Sequence, residues 1–272
     1  FIKVFLDNNV IGCMLLAFLI GFAILSLQEE KKDILHSLLS AIFDTLLEVA
    51  KKILILMPFA VWAFISIFLH ELKSGKELSS ILLYLLCIVF ANLIQALIVL
   101  PIMLLIKGAS PYGLLKGIFP ALILAFFSKS SSATLPTTLH YSQSKLHIGK
   151  KLSSFVLPVC TTINMNACAA FILLTVIFVS EMNGYHFSIG EMLIWILLST
   201  GAAIGNAGVP MGCYFMATSY LVATNIPINI MGIILPFYAL LDMMETSVNV
   251  WSDVCVLKMI DLDVKRENHE IN

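Results

Sequence analysis

Apolar positions arrive in long blocks, and the first three blocks read as spanning helices. Residues 10–27 form an almost unbroken apolar run that reaches about 27 Å as a helix, enough to cross a hydrocarbon core. A charged turn, 28–33, follows. Residues 34–69 predict one long or broken helix. Its first half is amphipathic, with Asp44, Glu48, Lys51 and Lys52, which suit a solvated or interfacial face with i,i+4 pairing. Its second half, 53–69, is apolar around Pro58. A third span covers about 81–106 and contains Asn92, Gln95 and Pro101, the proline being tolerable there as a kink.

After Ile106 the pattern changes, because polar patches now interrupt the apolar runs in mid-segment. Residues 114–127 are apolar, then comes Ser128-Lys129-Ser130-Ser131-Ser132-Ala133-Thr134-Leu135-Pro136 and a more polar arm to about Ser144. Residues 155–178 could span, but hold Thr161-Thr162-Ile163-Asn164-Met165-Asn166 at their centre. Residues 192–204 are apolar and lead into Gly205-Asn206-Ala207-Gly208-Val209-Pro210-Met211-Gly212, followed by a second arm, 213–222. The last span, about 228–259, carries Asp242, Glu245, Thr246, Asn249 and Asp253, and ends in a charged tail. The two interrupted units resemble each other: short arm, Ser/Gly/Pro tip, short arm, then a span with a central Asn. Paired interrupted segments point to the binding site of a secondary transporter, since a broken helix exposes backbone polar groups that are stable only beside protein or a watered cavity.

The polar positions of the last span share a helical face, because steps of three, four, seven and eleven residues return to one side. A carboxylate in hydrocarbon costs roughly 2.5–3.5 kcal/mol on insertion scales, so such acids persist facing protein, water or ions. A buried structural ion pair with Lys129 is the plain alternative. For Asn164 and Asn166 it is helix–helix hydrogen bonding.

Composition fixes the class. The chain is 60% hydrophobic and 12% charged, with a mean hydropathy of +0.98, against roughly 45–50% and about 25% for soluble domains. It predicts an all-α integral membrane protein. A single arginine, Arg266, and no basic stripe argue against nucleic acid. The six cysteines (13, 87, 160, 168, 213 and 255) lack a CxxC and read as buried thiols. The N-terminus has no signal-peptide layout. If the tail is cytoplasmic, Lys31, Lys32, Lys107, Lys116, Lys145, Lys150 and Lys151 lie inside and only Lys73 and Lys76 outside, as the positive-inside rule expects.

Taken in order, Ser130-Ser-Ser-Ala-Thr-Leu-Pro136, Asn164-Met165-Asn166, Gly205-Asn-Ala-Gly-Val-Pro210 and Asp242…Thr246…Asn249…Asp253 resemble the glutamate transporter family of dicarboxylate/amino acid:cation symporters. The resemblance covers nearly the whole chain and begins in the fourth helix of an eight-helix, two-hairpin plan. It implies multi-spanning helices with two re-entrant helical hairpins and discontinuous helices in inverted repeat. Residues 1–106 would be scaffold helices, incomplete at the N-terminus, and 107–260 a transport domain. The domain would comprise hairpin one (about 110–145), a broken helix (about 150–180), hairpin two (about 189–224) and the acidic helix (about 228–260). Residues 261–272 would be a cytoplasmic tail.

The resemblance also implies a homotrimer in the cell's inner membrane, symporting an amino acid or dicarboxylate with Na⁺ or H⁺ and doing no covalent chemistry. Ser131 and Ser132 would cradle the substrate carboxylate. Asn206–Gly212, with Val209 and Pro210, would form an extracellular gate. Asp242 would bind the substrate ammonium, with Thr246 and Asn249 beside it. Asn164, Asn249 and Asp253 match one sodium site. Carbonyls near Thr162 and from Ala203 to Asn206 match another. Elementary chemistry agrees: a zwitterion needs an anionic pole, Asp242, and a donor-rich pole, the serine tip, while Na⁺ takes the oxygens of Asp253, Asn164 and Asn166.

Four positions depart from the family pattern. Glu245 stands where members that carry acidic amino acids have Arg. Asn166 replaces an acid, which weakens one cation site. Cys168 replaces a hydroxyl that contacts the substrate side chain, and Met211 replaces a gate glycine. Without a bidentate Arg, a neutral or cationic substrate is expected rather than glutamate or aspartate. A non-functional or truncated copy and an ion channel are the alternatives. An intramembrane hydrolase lacks a histidine base near the serines.

Overall fold

The computed structural model describes residues 10–56, 58–59, 61–63, 66 and 75–271. The expected apolar run 53–69 lies partly outside the described residues, as do Lys73 and the side chains of Lys51 and Lys76. The described residues are helical and include no strand: α1 (Val10–Leu25), α2 (Glu29–Leu54), α3 (Gly75–Ile94), a π-helical segment (Gln95–Val99), α4 (Leu100–Ile106), α5 (Pro111–Ser128), α6 (Ser131–Ser144), α7 (Lys150–Ile163), α8 (Asn166–Met182), α9 (Ile189–Gly205), α10 (Gly212–Ala223) and α11 (Asn229–Ile271). Among the described residues, four stretches are long and apolar enough to cross a membrane: Ser79–Ile106, Pro111–Ser128, Lys150–Met182 and Asn229–Glu267.

Two boundaries differ from expectation. Nearly all of the charged turn at 28–33 lies within α2, because Glu29 and Glu30 sit in its first turn, where the helix dipole favours acids, and Lys32 pairs with Glu29 at 3.2 Å. The final helix does not stop near Met259 but continues to Ile271. Asp261 holds it with contacts to Lys258 (2.9 Å) and Lys265 (2.8 Å), and Lys107 reaches Asp263 at 2.7 Å.

Pro101 has a structural consequence. Having no N–H, it cannot donate to a carbonyl in the preceding turn, and the chain answers with the π segment just before it. The carbonyl of Ala96 is free of the ladder there and accepts the indole N–H of Trp251 at 3.0 Å.

Two apolar cores organise the molecule. One joins Tyr84 and Ile88 of α3 to Phe171 and Ile172 of α8, Ala202 of α9, Tyr220 of α10 and Tyr238 of α11. The other joins Leu100 and Leu104 of α4 to Ile118 of α5, Leu157 of α7, and Val254 and Leu257 of α11. The two repeat-like units are therefore interlaced. Hairpin α9–α10 shares a core with α8 and the first half of α11; hairpin α5–α6 shares one with α7 and the second half. The site lies where the cores meet. The span 79–106, which the sequence reading grouped with the scaffold, contributes to both cores, and Tyr84 Oη lies 2.7 Å from Thr175 Oγ1 of α8.

Candidate functional site

Each tip is built by local backbone chemistry. At the first, Lys129 takes a left-handed conformation (φ 53°), which ends α5. Ser130 then caps α6, its Oγ accepting from Ala133 N at 3.2 Å. The earliest N–H groups of α6, including those of Ser131 and Ser132, have no acceptor within the helix. At the second, Asn206 ends α9, Gly208 turns the chain with φ 77°, and Met211 starts α10 from φ 56°. That left-handed geometry suits glycine, so Met211 adopts it under steric strain. A Cβ on Gly212 would meet the Asn206 side chain at 3.0 Å, so any larger residue there would need Asn206 to give by a few tenths of an ångström.

The helix break falls at Asn164 and Met165, whose φ/ψ pairs (−97°/57° and −98°/53°) leave the α region. It is tied to α11 by side chains. Asn164 Nδ2 donates to Asp253 Oδ1 (2.9 Å) and Ser252 Oγ (3.0 Å), and Asn166 Nδ2 donates to Ser252 Oγ (2.9 Å). Asn249 Oδ1 accepts the Ala167 N–H at 2.9 Å, capping α8 from another helix. Asp253 and Asn249 are both almost fully buried. A hard cation here would meet the Asp253 carboxylate and the carbonyls released by the break.

Both tips, the break and α11 line one cavity of about 820 Å³. Of the expected substrate residues, Ser131, Ser132, Cys168, Val209, Pro210, Asp242, Thr246 and Asn249 are on its wall. Asp242 takes part at the level of its backbone as well, accepting from Thr246 Oγ1 at 2.8 Å. Among the expected cation residues, Asn206 and Asn249 line the cavity; Asn164, Asn166 and Asp253 sit together behind it. Ala203 is buried within α9, and Thr162 has an exposed side chain whose hydroxyl turns back to Val159 O at 2.8 Å.

Glu245 is placed differently from its stripe-mates. It is fully buried, does not line the cavity, and neither carboxylate oxygen has a hydrogen-bond partner among the described residues. The alternative reading, an ion pair with Lys129, is not formed: among the described residues Lys129 makes no ion pair with Asp242 or Glu245. The acidic stripe thus serves three surroundings, because α11 crosses both cores and the seam between them.

Sequence reasoning missed three participants. Ser252 takes an amide from both Asn164 and Asn166; its position three residues after Asn249 was the available signal. Thr161, rather than Thr162, faces the cavity. Cys213, read as an ordinary buried thiol, lies on the cavity wall beside Cys168 and Glu245.

The family model of the sodium:dicarboxylate symporter family matches residues 1–261. Excitatory amino acid transporter 3 of Mus musculus is 29% identical over 265 residues, covering 97% of this chain and 50% of the mouse protein. An excitatory amino acid transporter of Caenorhabditis elegans is 29% identical over 249 residues (90% and 49%). Neutral amino acid transporter B(0) of Mus musculus is 28% identical over 247 residues (90% and 44%). The chain spans about half the length of these relatives. Because the match takes in both tips, the helix break and the acidic helix, the chain belongs to the sodium:dicarboxylate symporter family.

Proposed function

We propose that the protein works as a cation-coupled symporter of an α-amino acid across the cell's inner membrane, bound in the cavity between the tips. The observation that carries this reading is the meeting of opposite poles on one cavity wall: the Asp242 carboxylate and the N-terminal N–H groups of α6 at Ser131 and Ser132. A zwitterion satisfies both at once. Helix N-termini favour its carboxylate and Asp242 its ammonium.

Na⁺ is the coupling ion in this reading, held by Asp253 and carbonyls at the break, with Asn164 orienting the carboxylate. A second ion would use carbonyls near Thr162 and from Ala203 to Asn206. Binding at Asp253 orders the α7–α8 break, on which Asn249 and Met165 at the cavity depend, so ion and substrate favour each other reciprocally. Val209 and Pro210 belong to the gate. The moving unit is residues 79–260, because the span 79–106 shares both cores with the helices that follow; residues before it serve as scaffold, and assembly is as a homotrimer.

The substrate is a neutral or cationic amino acid. Glu245 supplies no cation to clamp a side-chain carboxylate, and Arg266, the only arginine, lies far along α11 beside Lys107, to whose carbonyl it donates at 2.9 Å. Names of relatives do not decide this, since excitatory and neutral amino acid transporters match about equally well.

Thermal unfolding of the purified full-length protein against a panel of amino acids, with and without sodium, tests the reading. Stabilisation by a neutral or cationic amino acid only with sodium supports it, and Asp242→Ala should abolish both that shift and uptake into proteoliposomes. Stabilisation by glutamate without sodium, or normal sodium-dependent uptake by Asp242→Ala, overturns it.

A further inference from the structure

Cys168, Cys213 and Glu245 come from three helices, α8, α10 and α11, yet one ligand atom of each, Sγ, Sγ and a carboxylate oxygen, lies within 4.8 Å of the others. All three residues are buried, and Glu245 is 0% exposed with both oxygens unpartnered among the described residues. A carboxylate left so is costly, several kcal/mol if charged and unpaired. A purely structural glutamate would be given N–H donors, whereas its neighbours here are thiols, which are weak donors.

We propose that Cys168, Cys213 and Glu245 form a site for a thiophilic divalent cation of the zinc class, with its fourth coordination position open to the cavity. Sulfur ligands select zinc-like ions over the hard cations that suit Asp253. Tetrahedral Zn²⁺ bonds of about 2.3 Å to sulfur and 2.0 Å to oxygen would set the sulfurs about 3.8 Å apart and each about 3.5 Å from the oxygen. Those separations lie within the observed limit. The surrounding amides are arranged for thiolates: Asn249 Nδ2 donates to Cys168 Sγ at 3.3 Å and Asn206 Nδ2 to Cys213 Sγ at 3.8 Å. Such donors to ligand atoms orient them and stabilise the bound form. Three protein ligands are the number found in open zinc sites, and both thiols lie on the cavity wall. Binding forms two Zn–S bonds and one Zn–O bond and releases the two thiol protons and the proton of the buried Glu245 carboxyl to water, so affinity rises with pH.

The site goes beyond the transport reading and does not depend on it. Full-length protein, reduced and stripped with a chelator, is titrated with Zn²⁺ and, for spectroscopy, Co²⁺. The expected result is a single ion per chain, with thiolate-to-cobalt charge-transfer absorption. Cys168→Ser and Cys213→Ser should each weaken binding at least about tenfold, while Cys255→Ser, a buried thiol in the other core, leaves it unchanged. Should either serine variant fail to fold, Zn²⁺ protection of Cys168 and Cys213 from alkylation in the native protein provides the same reading. No stoichiometric metal, no thiolate absorption, undiminished affinity in both serine variants, or no protection overturns the proposal. Uptake measured in parallel keeps the two readings apart: native protein that takes up substrate but binds no Zn²⁺ removes the metal site alone.

Discussion

Trp251 Nε1 donates to the carbonyl of Ala96 at 3.0 Å, linking the acidic helix to the one stretch of α3–α4 where a proline has released a backbone acceptor. The indole is buried and its ring fills the second core. Trp251→Phe keeps most of the apolar volume and removes the donor. It is expected to cost about 1 kcal/mol, the net worth of one hydrogen bond, and to lower the thermal midpoint of the purified protein by a few degrees. An unchanged midpoint would mean that water serves Ala96 equally well.

Much of this fold was legible because its polar interruptions are so costly in an apolar chain. Ser128–Ser132, Asn164–Asn166 and Gly205–Gly212 each mark a place where the helix breaks, and all three breaks occur. What sequence could not reveal was the pairing of distant surfaces. Cys168 and Cys213 lie 45 positions apart by their numbering, and nothing in local pattern says that α8 and α10 bring them together beside Glu245. The π segment was hidden for the same reason, since Pro101 announces a kink but not that Trp251 will use the freed carbonyl. The charged stretches 28–33 and 261–271 looked like loops by composition. Their charges instead pair along the helix or dock on Lys107, as i,i+3 and i,i+4 spacing allows.

Asp253→Asn preserves shape and the oxygen that accepts from Asn164, but removes the charge. If Asp253 holds the coupling ion, the sodium concentration needed for half-maximal stabilisation should rise at least about tenfold, about 1.4 kcal/mol of binding. Stability in choline chloride should not fall, because a buried carboxylate is expensive without its cation. The comparison is a melting series in the two salts. Identical sodium curves for both proteins would place the ion elsewhere.

Glu245→Gln addresses substrate charge, and chelator-treated protein keeps any bound metal from obscuring the result. A cationic substrate side chain would draw out the Glu245 charge, so the variant should weaken stabilisation by amino acids with cationic side chains by about tenfold or more, in keeping with the size of charged contacts out of water. Stabilisation by small neutral amino acids should be little changed. Should lysine and serine lose affinity in equal proportion, Glu245 supports the site's shape and not its charge preference.

Away from the apolar spans, Glu191 provides a pH-dependent element at the start of α9. Its carboxylate accepts from Tyr185 Oη (2.6 Å), Ser188 N (2.8 Å) and Ser188 Oγ (2.7 Å), while Ser188 Oγ accepts from Glu191 N, completing a capping box. These donors, Tyr185 first, hold the carboxyl down from 4.5 to about 2, and the same contact pushes the Tyr185 phenol upward. A folded-state value below the unfolded one stabilises the protein fully above pH 4.5, and that stabilisation is lost as pH falls toward 2. Glu191→Gln cannot titrate, so its deficit in melting temperature relative to the native protein should be largest above pH 4.5 and shrink through that window. Other carboxylates titrate in both proteins and cancel in the difference. A deficit constant from pH 6 to pH 3, on the order of experimental scatter, would show that the box acts through geometry alone.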